Sequence, residues 1–181
     1  MKRIAISGSG LCTPPESVSN EELVATFNQY VENFNRDNAD RIARGEIPAL
    51  QTSSAEFIVK ASGIKSRHVV DRKGLVDAKL MRPQIRRRSN EEVSLSAEMG
   101  IAAAKQALQR AGRSAADVDA VLVACTDSQR PYPAIAVEIQ HYLGTGGYAN
   151  DMSVACASAA FGIQTASDAV RNGSARAALV I

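Results

Sequence analysis

The chain of 181 residues is long enough for about one domain with its own core, and its contents of 45% hydrophobic and 22% charged residues are ordinary for a folded protein. The net charge of +2 does not indicate a nucleic-acid partner, and no apolar run approaches the ~20 residues that a membrane-spanning helix needs. Three scattered cysteines and two distant histidines predict neither a disulfide framework nor a metal site, so we expect a cytoplasmic protein with reduced thiols.

The N-terminal segment predicts a strand, a turn and a helix. Arg3–Ser7 alternates as a β-strand does, and the Gly-Ser-Gly at 8–10 turns the chain out of it. A dinucleotide-binding loop would need a third glycine and a following helix, whereas two prolines follow here, so we reject that interpretation. Ser19 or Asn20 then caps a helix that continues through Val31.

The next stretch, over about 32–54, is polar and is interrupted by Gly45 and Pro48. This composition predicts an insertion that leaves an otherwise compact fold. The apolar segment after it ends at Gly63, and the residues at 66–70 are predicted to be extended.

Residues 65–88 are strongly basic, and only Asp71 and Asp77 oppose the positive charge. Such a stretch is typical of a solvated loop, or of a surface that binds an anionic partner such as a phosphorylated cofactor or an acidic carrier protein. No aromatic residues are interleaved, so nucleic acid ranks lower as a partner. The nine basic residues are Lys65, Arg67, Arg72, Lys73, Lys79, Arg82, Arg86, Arg87 and Arg88.

The C-terminal part alternates helices with apolar strands. The capping-box pattern Ser89–Glu92 is expected to open a long helix that ends at Gly112, and Val118–Ala124 has the length and composition of a strand buried on both faces. A helix over Ala134–Leu143 and a new strand at Ala177–Ile181 follow. Helical crossovers between apolar strands predict an α/β fold, with a mostly parallel sheet and helices on both faces. Because the chain stops within a strand, we expect further sequence or another chain to complete it.

Cys156 is the most informative residue of this part. A short apolar strand leads into it, and a helix of small residues follows in Asp-Met-Ser-Val-Ala-Cys-Ala-Ser-Ala-Ala-Phe-Gly, residues 151–162. The free N–H groups and positive end of that helix would face the sulfur, a setting that stabilises a thiolate and provides an N–H for an oxyanion. The alternative is a structural cysteine, because free cysteines are often buried. We interpret Cys12 and Cys125 as such packing residues.

The chain resembles the N-terminal half of β-ketoacyl-acyl carrier protein synthase III, of the thiolase superfamily. Four blocks match in order and together span nearly the whole chain, and the one around Cys156 is the most specific. The blocks are Ile6–Pro15 with Ser19–Leu23, Phe57–His68, Asp119–Thr126 with Tyr132-Pro133, and Asp151–Ser158 with the later Asp168-Ala-Val and Ala177–Val180.

The resemblance implies that residues 1–181 form the first of two similar thiolase-like halves. Cys156 would take the acyl group of an acyl-CoA as an acyl-thioester, and a carbanion from malonyl-acyl carrier protein would then attack it. Tyr132 matches an aromatic residue that reaches into the partner's acyl pocket across a homodimer, although it could simply be a turn residue between two prolines. Phe57 matches a tryptophan that stacks on the CoA adenine, whereas Ala61 replaces an arginine near the CoA phosphates. No cofactor is implied, and the family's decarboxylating His and Asn lie in the second half.

The predicted insertions at about 32–54 and 71–88 resemble a longer variant of the family that accepts medium-chain primers to form β-ketodecanoyl-type products. Three alternatives stay open. The chain could belong to another condensing enzyme of the superfamily, of the polyketide or 3-hydroxy-3-methylglutaryl-CoA synthase type. It could instead be part of a non-catalytic partner subunit, or of a cysteine hydrolase in which water takes the acyl group.

Overall fold

The computed structural model describes residues 3–181, which form two compact units. One unit comprises residues 3–12 together with Arg88–Ile181, and the other comprises Thr13–Arg87. Both predicted insertions belong to the Thr13–Arg87 unit, apart from Arg88 at the end of the second. None of the helices in the described part of the chain has the length and apolar character to cross a membrane.

The Thr13–Arg87 unit contains a helical segment and a small antiparallel sheet. The predicted cap is confirmed, because Ser19 forms a capping box with Glu22 at the start of the first helix. Gly63 ends the third helix in the left-handed conformation (φ 73°), as its position in the sequence predicts. The elements are β1 (Glu16–Ser19), α1 (Asn20–Asp37), α2 (Ala39–Ala43), α3 (Ala55–Ser62), β2 (Ser66–Val69) and α4 (Arg72–Leu75), with β1 antiparallel to β2.

The other unit is a three-stranded parallel sheet with long helices. Its strands lie in the order β4 (Tyr148–Met152), β3 (Ala120–Ala124) and β5 (Ala178–Val180), so the central strand is the one predicted from the apolar run at Val118–Ala124. The elements are α5 (Leu95–Ala111), β3 (Ala120–Ala124), α6 (Ile135–Leu143), β4 (Tyr148–Met152), α7 (Ser158–Asn172) and β5 (Ala178–Val180), with 3-10 turns at Ala115–Asp117 and Ala155–Ala157.

Helices cover both faces of this sheet. Val121, Val123 and Leu179 project into a core cluster that includes buried residues of α5 and α6. Neighbouring strand residues point to the other face of the sheet, where Gly162 of α7 lies against Val180. A Cβ on Gly162 would come within 3.0 Å of the Val180 side chain. The predicted α/β class with helices on both faces of a parallel sheet is therefore confirmed.

The strand predicted over Arg3–Ser7 is wrong, because these residues form no ladder within the described chain. The segment after them lies along α5 instead. A Cβ on Gly10 would come within 1.9 Å of the carbonyl oxygen of Ala103, and the backbone N–H of Leu11 donates to Oε1 of Gln106 at 3.0 Å. The close approach of the backbone to α5 requires glycine at this position.

The start predicted for the long helix is also wrong, since α5 begins at Leu95 rather than at the Ser89–Glu92 box. Ser94 is the N-cap, and its hydroxyl accepts a backbone N–H of the first turn. The carbonyls that would begin a helix at the box are engaged elsewhere. The carbonyl of Glu92 accepts a hydrogen bond from the Arg130 side chain at 2.9 Å, and the carbonyl of Val93 accepts one from the Arg88 side chain at 2.7 Å. Side-chain contacts, one local and one long-range, therefore occupy carbonyls that a helix beginning at the box would use.

Candidate functional site

Cys156 lies in a tight turn between the end of β4 and the start of α7. The strand ends at Met152, and Cys156 is the middle residue of the 3-10 turn Ala155–Ala157. Ala155, directly before the cysteine, has φ 46°, a left-handed conformation that costs an L-residue about 1–2 kcal/mol. The sulfur-bearing residue is exposed and its thiol is free. The turn therefore presents Cys156 at the surface of the unit.

The start of α7 follows directly after Cys156. The N-cap of α7, Ala157, makes no side-chain capping bond, so the first turn of a 15-residue helix has uncapped donors and a positive dipole end. The N–H of Ala157 donates to the carbonyl of Val154 at 3.1 Å. Within residues 3–181 the N–H of Cys156 has no acceptor. The N–H of Cys156 is thus available to an acceptor such as an oxyanion.

Asp151 anchors the strand that leads to this turn. Its carboxylate oxygens accept the backbone N–H groups of Ile135 and Ala136, the first two residues of α6, at 2.9 and 2.8 Å. On the other side of the strand, the N–H of Cys125 donates to the carbonyl of Met152 at 3.2 Å. Cys125 packs against the core cluster, in agreement with its predicted packing role.

The loop between β3 and α6 carries Tyr132, which is 85% exposed. Its neighbours attach the loop to the start of α5. Oε1 of Gln129 accepts the N–H of Leu95, and Arg130 donates to the carbonyl of Glu92 at 2.9 Å. β3 and β4 are adjacent parallel strands, so the loop after β3 and the Cys156 turn after β4 lie at the same edge of the sheet. The structure therefore places Tyr132 and Cys156 at one edge.

Phe57 belongs to the Thr13–Arg87 unit, at the first turn of α3. The ring is largely exposed (65%) and borders a depression of about 380 Å³ that is also lined by Thr52, Ser53 and Ser54. The depression has a fixed wall, because the side-chain amide of Asn28 both donates to and accepts from the backbone of Ser53, at 3.0 and 2.9 Å. An exposed ring beside such a depression can stack on a flat ligand.

The basic stretch folds so that its acidic residues are used internally. The carboxylate of Asp71 accepts backbone N–H groups of Gln84, Gly74 and Lys73, which lower the pKa of Asp71. Arg72 pairs with Glu22, whose pKa is lowered by its bond to the Ser19 N–H and by Arg72. Several cations are left on the surface, namely Lys65, Lys73, Lys79, Arg82 and Arg87.

Comparison with known proteins identifies the relatives of the chain. No protein-family model matches it. It is 55% identical to the β-ketodecanoyl-acyl carrier protein synthase of Pseudomonas aeruginosa over 156 residues, which are 86% of this chain and 45% of that protein. A β-ketoacyl-acyl carrier protein synthase III of Chelativorans sp. is 37% identical over 133 residues, covering 73% of this chain and 35% of the relative.

The chain belongs to the β-ketoacyl-acyl carrier protein synthase III family. It spans less than half the length of the curated relatives it matches, and it corresponds to the N-terminal half of the family. The solved 3-oxoacyl-acyl carrier protein synthase III of Aquifex aeolicus superposes with a TM-score of 0.66 at 23% identity, over 97% of this chain and 42% of that one. This likeness confirms the thiolase-like fold.

Two features of this chain lie outside what the sequence patterns indicated. One is the left-handed Ala155, because nothing in its side chain favours that conformation. The other is Ser158, which we interpreted only as one of several small residues after the cysteine. Its hydroxyl is buried and forms hydrogen bonds to the backbone of the turn.

Among residues 3–181, no group of three or more His, Cys, Asp or Glu side chains could hold a metal ion.

Proposed function

We propose that this chain carries the nucleophile of a decarboxylating Claisen condensation that initiates fatty acid synthesis. The primer is an acyl-CoA and the extender is malonyl-acyl carrier protein. The observation that carries the proposal is the exposed Cys156 at a left-handed turn ahead of the uncapped N-terminus of α7. The names of the relatives, which are synthases acting on acyl carrier protein substrates, support it.

The reaction proceeds in two stages at one sulfur. The Cys156 thiolate adds to the thioester carbonyl of the primer, and the Cys156 N–H stabilises the oxyanion. The C–S bond to CoA then breaks, CoA leaves as a thiolate, and an acyl-cysteine remains. Malonyl-acyl carrier protein loses CO₂, and the electron pair released forms a carbanion at the carbon that carried the carboxylate. That carbon attacks the acyl-cysteine carbonyl, which gives a β-ketoacyl product and restores the thiolate.

Residues that assist decarboxylation are proposed to come from outside these 181 residues, since the relatives are more than twice as long as the matched part. We further propose that the primer is of medium chain length, which the 55% identity to a β-ketodecanoyl synthase supports. Phe57, exposed beside its depression, would stack on the CoA adenine. The basic surface of the same unit would bind the CoA phosphates or the carrier protein.

Tyr132 is proposed to enter the acyl pocket of a second subunit in a homodimer. Its exposure, and the attachment of its loop to α5 through Gln129 and Arg130, support this role. A large aromatic side chain held outward on a fixed loop is suited to fill a pocket on a partner.

The proposed reaction needs its two substrates and no cofactor. The three free cysteines fit a protein of the reducing cytoplasm.

The proposal is tested by condensation with the complete protein, including whatever sequence or partner chain supplies the rest of the site. Acyl-CoA primers of increasing length are supplied with malonyl-acyl carrier protein, and CO₂ release and carrier-bound product are measured. We expect one β-ketoacyl product per CO₂, fastest with medium-chain primers, and none with Cys156→Ala; Cys12→Ala is the matched control and stays active. Repeated extension would favour a polyketide-type synthase. Release of free fatty acid without condensation would favour a hydrolase.

A further inference from the structure

The side chain of Ser158 turns backwards from the first position of α7 into the Cys156 turn. Its hydroxyl accepts the backbone N–H of Val154 at 2.8 Å and donates to the carbonyl of Ala155 at 2.8 Å. A serine hydroxyl has one donor hydrogen and two acceptor sites, so both bonds can exist together. Ser158 is only 3% exposed, so water cannot readily replace either bond.

These two bonds lie on either side of the strained residue. Ala155 keeps a left-handed conformation with a Cβ, which persists only where the surrounding structure fixes it. The backbone closes the turn with two bonds, from Ala157 N–H to the carbonyl of Val154 and from Ser158 N–H to that of Ala155. The Ser158 hydroxyl adds a connection from the helix to the peptide group before Val154 and to the peptide group after Ala155. No other side chain in the described part of the chain bonds to this turn.

Cys156 lies in the chain between Ala155 and Ser158, which this hydroxyl connects. The same turn therefore sets the direction of the Cys156 side chain and of its free N–H. Addition to a thioester needs both at once, because the sulfur must approach the carbonyl carbon while the N–H meets the developing oxyanion. We infer that Ser158 is a positioning residue for acyl transfer, holding the Cys156 thiol and N–H in one orientation. This inference rests on the proposed function.

Two reactions of the Cys156 thiol distinguish a positioning role of Ser158 from a purely structural one. In acylation the Sγ–C bond forms, the C–S bond to CoA breaks, and an oxyanion passes through the site. In alkylation by iodoacetamide the sulfur displaces iodide at a methylene carbon, and no oxyanion forms. Alkylation thus needs an accessible thiol, whereas acylation also needs its orientation relative to the N–H.

The experiment compares both rates in the complete protein for Ser158→Ala, with Ser167→Ala as the control in the same helix. We expect Ser158→Ala to slow acylation by a medium-chain acyl-CoA at least ~10-fold, through kcat rather than KM, while alkylation changes by less than ~2-fold. Ser158→Thr, which keeps the hydroxyl, should recover most of the acylation rate. Ser167→Ala should change neither rate.

Unchanged acylation in Ser158→Ala would overturn the inference. An equal fall of both rates together with an altered circular dichroism spectrum would also overturn it, because Ser158 would then be a purely structural residue. Should Ser158→Thr fail to fold, the ratio of the two rates in Ser158→Ala still decides. Failure of the proposed function has another signature: the unsubstituted protein would be alkylated at Cys156 and acylated by no acyl-CoA.

Discussion

The carboxylate of Asp151, on β4, accepts the backbone N–H of Ile135, the first residue of α6, at 2.9 Å. Its other oxygen accepts the next N–H, so one side chain caps the helix in place of Ala134, the N-cap residue, which makes no side-chain bond. The strand that leads to Cys156 is thereby tied to the helix that follows the Tyr132 loop. Both sides of the proposed site depend on this one carboxylate.

Asp151→Ala should destabilise the protein by about 1–2 kcal/mol, because two donors at a helix N-terminus lose their acceptor and the helix dipole loses a negative charge. The measurement is urea unfolding at neutral pH. Asp168→Ala, in the exposed part of α7, is the matched control and should cost less than about 0.5 kcal/mol. Equal effects of the two substitutions would contradict the capping role.

Arg130→Met should lower the free energy of unfolding by about 2–3 kcal/mol, more than Asp151→Ala does. It leaves the nearly buried Glu138 carboxylate without its cation, and the carbonyl of Glu92 loses its donor. The additional change Glu138→Gln should recover about half of the loss, since it removes the unpaired charge. A double-mutant cycle by denaturant unfolding measures this coupling. Arg130 Nε lies 3.8 Å from Glu138 Oε1, and strictly additive effects would show that these two side chains do not interact energetically.

Gly10→Ala should cost about 2 kcal/mol, because its Cβ would come within 1.9 Å of the Ala103 carbonyl oxygen and the N-terminal segment would have to leave α5. Gly146→Ala is the matched control, since the nearest atom to its Cβ is 3.9 Å away and its φ is ordinary. Thermal unfolding of the two variants checks the difference. A neutral Gly10→Ala would mean that the segment does not lie against α5 in solution.

The pair Asp119–Arg176 predicts a pH dependence. Hydrogen bonds from the guanidinium and the backbone N–H of Arg176 lower the pKa of Asp119 from 3.8 to about 2. A carboxylate with a lowered folded pKa stabilises the fold above its unfolded pKa, near ~3.9, and loses this contribution as pH falls toward 2. Asp119→Asn should therefore be less stable than the unsubstituted protein at pH 7, and this difference should shrink as the pH falls through about 2. Unfolding free energies at a series of pH values measure the difference, and a constant difference would contradict the assignment.

Elements whose apolar pattern lies within one stretch of the sequence were predictable from it. The helix predicted at Ala134–Leu143 is found at Ile135–Leu143, and the apolar run at Val118–Ala124 is the central strand of the sheet. The incorrect predictions involve distant partners. The N-terminal segment bonds to α5 through Leu11 and Gln106, 95 residues apart in sequence, and no local pattern encodes that contact.

The candidate site shows the same division. The position of Cys156 between a strand and a helix follows from the apolar run before it and the small residues after it. The backward bonds of the Ser158 hydroxyl do not follow, because serine at a helix start more often caps the helix ahead of it. The left-handed Ala155 is likewise fixed by its surroundings and not by its own side chain.

The most direct test of the central claim is the intact mass of the complete protein before and after incubation with a medium-chain acyl-CoA, followed by peptide mapping. We expect a gain of one acyl group on Cys156, bound as a thioester that hydroxylamine removes, and no gain in Cys156→Ala. An adduct on Cys12 or Cys125 in place of Cys156, or no adduct with any primer length, would contradict it.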